Sequence, residues 1–438
     1  MEKIVCIPGS IQRLSIQGAI ATLTALLSFV SPLSISTGQA ALQDSPKTVI
    51  DEAWQLVNRD YVDGTFNQND WQEVRQDLLS QEYASLDDAY FALEEALQLL
   101  DDPYTRFMTP SEFEALTSQT AGEFSGVGLR LKVDDVTQAL VIVHPLENSP
   151  ADNAGLQAGD AILAIGDQQT EGMSVSDAAE LIRGELGTTV QLQVRRGDQP
   201  TFDVSLTRER LEVPAVFPSL RSEFDSKIGY IRLTEFTSHS AEQMHRAVLS
   251  LLDQGAEAFV LDLRGNPGGL LQASIDISRL WMSDGAIVQT LDRNGHSEEV
   301  AADHTALTDL PLAVLVDGNS ASSSEILTGA LMDNNRAVVI GSQTFGKALV
   351  QAVHELSDGS GIAVTVAQYY TPNGTDISQH GITPDIEIDL TLNERRRLSV
   401  QPEMRGTLAD PHYQQAVTSL RPSILARRNN IDLGATIR

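Results

Sequence analysis

The chain has 438 residues, enough for two or three domains with a substantial core. Hydrophobic residues make up 42% and charged residues 21%, the balance of a globular protein, and the formal net charge is −30. A surface this acidic repels nucleic acid and anionic lipid, and the longest basic run is Arg395-Arg396-Arg397, so the composition argues against nucleic-acid binding.

Residues 1–40 read as a secretory signal. Lys3 and Arg13 supply positive charge, an apolar run follows from Gly18 to Val30, and Gly38-Gln39-Ala40 is a small-x-small cleavage site. A single anchoring helix is the alternative, but the run is short of the roughly 20 apolar residues that a span needs. Cys6, the only cysteine, lies inside this signal. A mature chain without cysteine has no disulfide, thiol catalyst or cysteine metal site.

Residues 41–120 read as a helical segment. Val49 to Val57 has apolar positions at helical spacing, Ser85-Leu-Asp-Asp88 starts a second helix, and Asp102-Pro103 ends it. Trp54, Tyr61 and Trp71 are expected in its core. Residues 121–208 change to short strands, with Ala139–Val143 and Val190–Val194 as β-like runs and a helix near Ser176–Arg183. In residues 209–393 strands and helices alternate: Ile228–Leu233, Ala258–Leu263, Leu312–Val316 and Val338–Ile340 as strands, Ala241–Gln254 and Ser322–Met332 as helices. That alternation predicts an α/β core with parallel pairing. Residues 394–438 form a polar tail of weak helical character, expected to pack on the core.

Gly126-Val127-Gly128-Leu129 precedes the run Arg130–Val133. Glycines in such a loop let several backbone N–H groups converge on a carboxylate, and a peptide tail can then pair with the neighbouring strand edge. Together with Ser149-Pro150, Ala154-Gly155-Leu156 and Gly159-Asp160, the loop makes residues 121–208 resemble a PDZ domain. The resemblance implies protein substrates or partners held by their C-terminal tails at Gly126, Val127, Gly128 and Leu129. A spacer or lid of the same fold is the alternative.

The chemistry is concentrated between Asp317 and Gln351. Ser320, Ser322, Ser323 and Ser324 crowd the start of a helix, and Lys347 follows in a segment with no other charge. Ser322 and Glu325 also satisfy the spacing of a capping box, a purely structural reading. A serine at a helix N-terminus, however, lies beside unpaired backbone N–H groups that can stabilise an oxyanion. A lysine among apolar neighbours loses its proton more readily and can act as the base for a hydroxyl. Gln351, four residues on, returns to roughly the same face on either a strand or a helix and can orient the amine. Leu261–Leu270 runs from a buried strand into the tight turn Gly265-Asn-Pro-Gly268-Gly269, which offers a second oxyanion donor. No Walker lysine follows that turn, and the eight histidines form no HExxH pattern, so neither a nucleotide site nor a zinc peptidase is indicated.

Arg264-Gly-Asn-Pro-Gly-Gly-Leu-Leu271, Ser320-Ala-Ser-Ser-Ser-Glu-Ile326 and Thr344-Phe-Gly-Lys347 resemble the motifs of the carboxyl-terminal processing (tail-specific) peptidases. Asp102-Pro-Tyr-Thr-Arg-Phe107, Tyr369-Tyr-Thr-Pro-Asn-Gly374 and Gly381-Ile-Thr-Pro-Asp385 match further patterns common in that family. The resemblance implies an α/β multidomain protein: an N-terminal helical segment, an inserted PDZ-like β-rich domain and an α/β serine-peptidase core. It implies a serine–lysine endopeptidase cutting near protein C-termini without metal or organic cofactor. The family nucleophile stands 25 residues before the lysine, which selects Ser322 for Lys347. Gln351 takes the place of the family glutamine, and the oxyanion donors map to Ser323 and to Gly268 or Gly269. An aspartate implicated in some members maps to Asp333. Ser323 stands where many members have alanine, which leaves its backbone N–H in place.

Ala53–Arg59, Tyr61-Val-Asp63 and Phe66-Asn67 resemble the photosynthetic branch, whose members trim the C-terminal extension of the photosystem II reaction-centre precursor. That implies an exported protein of the thylakoid lumen or periplasm, soluble or loosely membrane-associated. A general tail-specific protease of exported proteins and a non-catalytic PDZ adaptor are the competing readings.

Overall fold

The computed structural model describes residues 45–436. The secretory-signal reading of residues 1–40, Cys6 included, lies outside them. The chain divides into two compact units. One comprises the residues up to Leu116, Val216–Phe236 and those from Met244 on; the other comprises Thr117–Ala215 with Thr237–Gln243. The second unit thus extends past the 121–208 of the sequence reading and includes a short piece from farther along the chain.

The larger unit is built on two sheets. A six-stranded sheet runs in the order Val216–Glu223, Ser226–Leu233, Ala258–Asp262, Leu312–Val316, Val338–Gly341, Ile386–Glu387. The first pair is antiparallel and the rest are parallel. Ala258–Asp262 and Leu312–Val316 are buried at every position, which is why they read as continuous apolar runs without alternation. One face packs on the helix Pro411–Thr436 through Tyr413, Ala416, Val417, Leu420 and Ile424. Opposite lie the helices Leu271–Trp281 and Ser323–Asp333, with Trp281 edge-on to Phe259 at 5.2 Å.

The tail packs on the core as expected, but it is more helical than its sequence suggests. Its first part forms the helix Leu392–Val400, but Pro411–Thr436 is a 26-residue helix with a face in the core. Its apolar positions are diluted by Arg421, Arg427 and Arg428, so its helical periodicity is faint in sequence. The second sheet was also not anticipated. It is antiparallel and centred on the ten-residue strand Gly361–Tyr370, flanked by Arg106–Met108, Ala286–Asp292 and Leu349–Glu355. Helices Pro46–Asp60 and Leu86–Gln98 cover it, burying Trp54, Tyr61 and Trp71 against Ile362 and Val364. A third helix, Trp71–Ser80, starts where Asp70 accepts from the N–H groups of Gln72 and Glu73. Asp102-Pro103 does not end a helix: Leu86–Gln98 has already stopped, and Asp102 instead accepts from Tyr104 N–H and the Thr105 hydroxyl.

The smaller unit has a sheet in the order Leu129–Val133, Leu140–Pro145, Ala161–Ile165, Thr189–Arg195, Phe202–Thr207. Its core gathers Val127, Ile142, Leu156, Ile162, Ile182, Val190 and Leu192. Helix Val175–Ile182 begins at a complete capping box between Ser174 and Asp177.

Candidate active site

Ser322 immediately precedes the helix Ser323–Asp333, with φ 53° and ψ −114°. A non-glycine residue in this region costs about 1–3 kcal/mol and persists only where its surroundings hold it. Those surroundings are the turn Gly265–Gly269. Ser320 donates its hydroxyl to Leu263 O at 2.9 Å, Ser323 to Gly269 O at 3.0 Å and Ser324 to Asn266 O at 3.0 Å. Ala321 N–H adds a bond to Asn266 O at 3.1 Å. Ser323 and Ser324 therefore bind the helix start to the turn and Ser320 binds it to the end of the preceding strand, and Ser322 is the one that does neither.

The turn is correspondingly close. A Cβ on Gly268 would stand 2.7 Å from Ala321 O and 2.9 Å from Ser322 Cβ, and one on Gly269 would stand 2.2 Å from Phe236 O. Both glycines have positive φ, so two independent constraints require glycine here. Gly268 N–H is committed to Asn266 Oδ1 at 2.9 Å. The N–H groups of Gly269 and Ser323 make no hydrogen bond among the described residues. Of the two glycines offered by the sequence, Gly269 is the one with a donor to spare.

Asn266 was missed from sequence. It is fully buried, and its amide donates to Leu233 O at 3.1 Å while its oxygen holds Gly268. Arg264, at the head of the turn, is buried between two carboxylates. It bonds Asp262 at 2.6 and 2.9 Å and Asp410 at 2.7 and 2.9 Å. Burial would push Asp262 up, but the Arg264 charge and hydrogen bonds from Arg264 and Tyr230 hold it below the usual carboxylate range. His412 faces Arg264 Nη1 with Nδ1 and Ile388 O with Nε2, which makes it a neutral Nε2–H imidazole.

Lys347 lies in the loop before the strand Leu349–Glu355. Burial lowers its pKa; Asp102 opposes that shift and Arg106 adds to it. Its Nζ stands 4.5 Å above the centre of the Tyr104 ring and makes no hydrogen bond with Ser322 or Gln351. Gln351 shares its phase of burial with Lys347. Lys347 precedes the strand, and partial burial recurs at every second residue from Lys347 to Gln351, the extra residue of the register shift, Val366, lying on the partner strand. Gln351 Nε2 is buried without a hydrogen-bond partner. Asp333 ends the helix that Ser322 begins, about 16 Å along its axis. There it accepts from Asn373 N–H at 2.9 Å. The structure thus brings Ser322, Ser323, Gly268 and Gly269 together and leaves Asp333 apart.

Glu325 does more than close a capping box. It is fully buried and accepts from Ser322 N–H at 2.9 Å, Thr344 Oγ1 at 2.6 Å, Gly346 N–H at 2.7 Å and Lys347 N–H at 3.0 Å. Burial raises its pKa and the four hydrogen bonds oppose that rise. Thr344 in turn pairs with Ile382 through N–H and hydroxyl, so the Gly381–Asp385 motif supports the lysine loop.

In the smaller unit, the loop Gly126–Leu129 leads into Leu129–Val133, the edge strand of its sheet. Leu146 N–H bonds Gly128 O at 2.8 Å and Ala151 N–H bonds Val127 O at 2.9 Å, which fixes the loop's carbonyls. Gly128 has φ 80°, and a Cβ there would stand 2.2 Å from Ser149 Cβ.

Comparison with known proteins agrees with this layout. The model of peptidase family S41 matches residues 227–388, and that of the PDZ domain matches residues 141–196, a stretch beginning after the Gly126–Leu129 loop. The carboxyl-terminal-processing protease of Picosynechococcus sp. is 43% identical over 370 residues, covering 84% of this chain and 88% of the relative. The chloroplastic carboxyl-terminal-processing peptidase 2 of Arabidopsis thaliana is 39% identical, covering 82% and 74%. A solved photosystem II D1 C-terminal processing protease is 37% identical and covers 79% of this chain and 93% of its own, with a TM-score of 0.52. With relatives this similar along most of its length, a PDZ domain and an S41 core, the chain belongs to the carboxyl-terminal-processing serine peptidases.

Proposed function

We propose that Ser322 is the nucleophile and Lys347 the general base of a peptidase that trims the C-terminal extension of the photosystem II reaction-centre precursor. The observation that carries the dyad is the division of labour among the serines: Ser323 and Ser324 anchor the glycine turn and Ser320 the strand end before it, while Ser322 sits strained at the helix mouth. The partial burial of Lys347, which lowers its pKa, supports the base. Neutral Lys347 takes the Ser322 proton as Oγ attacks the scissile carbonyl. The N–H groups of Ser323 and Gly269 hold the oxyanion. The lysine then returns the proton to the leaving amine, and water releases the acyl group. Gln351, its amide nitrogen unpaired at rest, orients the amine once substrate is in place.

The substrate tail is held at Gly126–Leu129 and pairs with the edge strand Leu129–Val133. The reaction-centre precursor is favoured over exported proteins in general by the 37% identity to a photosystem II D1 processing protease and by the cyanobacterial and chloroplastic relatives. The thylakoid lumen is the matching compartment. Among the described residues no helix is long and apolar enough to cross a membrane. The deciding experiment incubates the protein with the precursor and with a version lacking its extension. A dyad peptidase converts the first to the length of the second. Ser322→Ala and Lys347→Ala, folded as judged by circular dichroism, leave it uncut; normal turnover by either variant overturns the dyad.

A further inference from the structure

We propose that Glu325 and Tyr369 are positioning residues that hold Ser322 and Lys347 at a fixed spacing through their main chains. The inference rests on the dyad reading above. A lysine side chain is long and flexible, so where its amine can reach depends on where its backbone is held. Ser322 stands on a helix start and Lys347 on a separate loop. Glu325 Oε2 accepts from the N–H of both, at 2.9 and 3.0 Å. The Tyr369 hydroxyl contacts the carbonyl oxygens of both, Ser322 at 3.2 Å and Lys347 more closely. One carboxylate oxygen thus gathers the two N–H groups, and one phenol gathers the two carbonyls.

The cost of this arrangement argues that it serves more than packing. A capping box needs only the Ser322 N–H, yet the remaining three bonds to Glu325 come from Thr344, Gly346 and Lys347. Glu325 is completely buried and forms no ion pair with a lysine or arginine among the described residues. Burying a carboxylate is expensive, and it is tolerated here because four donors fill its acceptor sites at a helix N-terminus. Tyr369 is 2% exposed, and burial together with Glu325 raises its pKa well above the usual phenol value. The hydroxyl therefore keeps its proton and stays a donor. Tyr369 reaches this point from the long strand Gly361–Tyr370, which also pairs with the Gln351 strand, so the second sheet sets the depth of the lysine loop.

The test uses Glu325→Gln and Tyr369→Phe in the full chain. A glutamine keeps one oxygen but sets an NH2 against at least one of the three N–H donors, while phenylalanine removes a single hydroxyl. We expect kcat to fall at least about tenfold in E325Q and about threefold in Y369F, with KM within twofold, since small displacements of reacting groups act on the chemical step. The double variant falls by less than the product of the two, because both act on one spacing. A structural role alone would lower the urea midpoint and leave kcat per folded molecule at the wild-type value, and that result overturns the proposal. Should E325Q fail to fold, Y369F decides by itself. Ser322→Ala in the same assay separates the two levels. Turnover by S322A sinks the dyad, whereas an inert S322A beside wild-type kcat in Y369F and E325Q sinks the clamp alone.

Discussion

Arg264 and Asp410, 146 residues apart, form a two-pronged ion pair with both partners buried, at 2.9 and 2.7 Å. Arg264 opens the glycine turn, and Asp410 immediately precedes the long helix Pro411–Thr436. Asp410→Ala leaves the buried guanidinium with Asp262 as its only carboxylate partner. Breaking one side of a buried pair costs about 3–5 kcal/mol. The unfolding midpoint in urea should drop accordingly, and kcat should fall in the molecules that remain folded because the turn loses an anchor. An unchanged midpoint would show that Asp262 suffices.

The base should report itself in the pH profile. Burial lowers the Lys347 pKa, so kcat rises with pH through that lowered value and levels off before the usual lysine range. Lys347→Arg keeps the charge but cannot give up its proton, and kcat should fall about 10²–10⁴-fold at every pH. A flat wild-type profile, with chemistry limiting, contradicts the assignment.

The same group has a stability signature. Its folded pKa lies below the unfolded one, so between the two values the unfolded chain binds more protons and stability rises with pH. Lys347→Met should therefore be inactive yet more resistant to urea at pH 7, and its advantage should shrink as pH climbs through the window. Equal urea midpoints for wild type and variant at all pH values would place the amine in water.

The two glycines separate catalysis from folding. Gly269→Ala drives a Cβ into Phe236 O and should unfold or strongly destabilise the protein. Gly268→Ala meets Ala321 O and Ser322 Cβ, and its nearest neighbours are the nucleophile's own segment. It should cost about 10²-fold in kcat for any variant that folds, measured by acylation burst as well as turnover.

Tail capture is checked with one peptide in two forms. If the glycine loop receives a carboxylate as proposed, a free C-terminus binds the PDZ-like unit at least about tenfold more tightly than its amide, by calorimetry. Gly128→Ala, with no room beside Ser149, should abolish the difference. Equal affinities would make the unit a spacer.

Much of the core was legible because buried parallel strands declare themselves. Leu312–Val316 matches its predicted bounds, and the helix after Ser322 is displaced by one residue. The serine cluster, Lys347 and the glycine turn were legible as motifs, and Glu325 as a cap. What sequence could not disclose depends on distant approach. The three bonds from Glu325 to the lysine loop, the Tyr369 bridge and the Asn266 anchor link segments 19 to 58 residues apart. The Lys347–Gln351 spacing gives a shared phase of burial, but no hydrogen bond between the two side chains could be read from it. The helix Pro411–Thr436 was hidden because a helix that touches the sheet along one stripe carries charge on the rest.

The Arg264–Asp410 pair also sets a clock. At about 5–20 residues per second, a ribosome needs roughly 7–30 s to travel from the arginine to its partner. Throughout that interval the glycine turn has no distal anchor, and the helix that seals one sheet face has not been made. The glycine turn thus gains its second carboxylate anchor only after the segment around Asp410 has been translated, which makes that segment an arming step for the site. A stalled chain ending at residue 405 should bind no serine-directed probe.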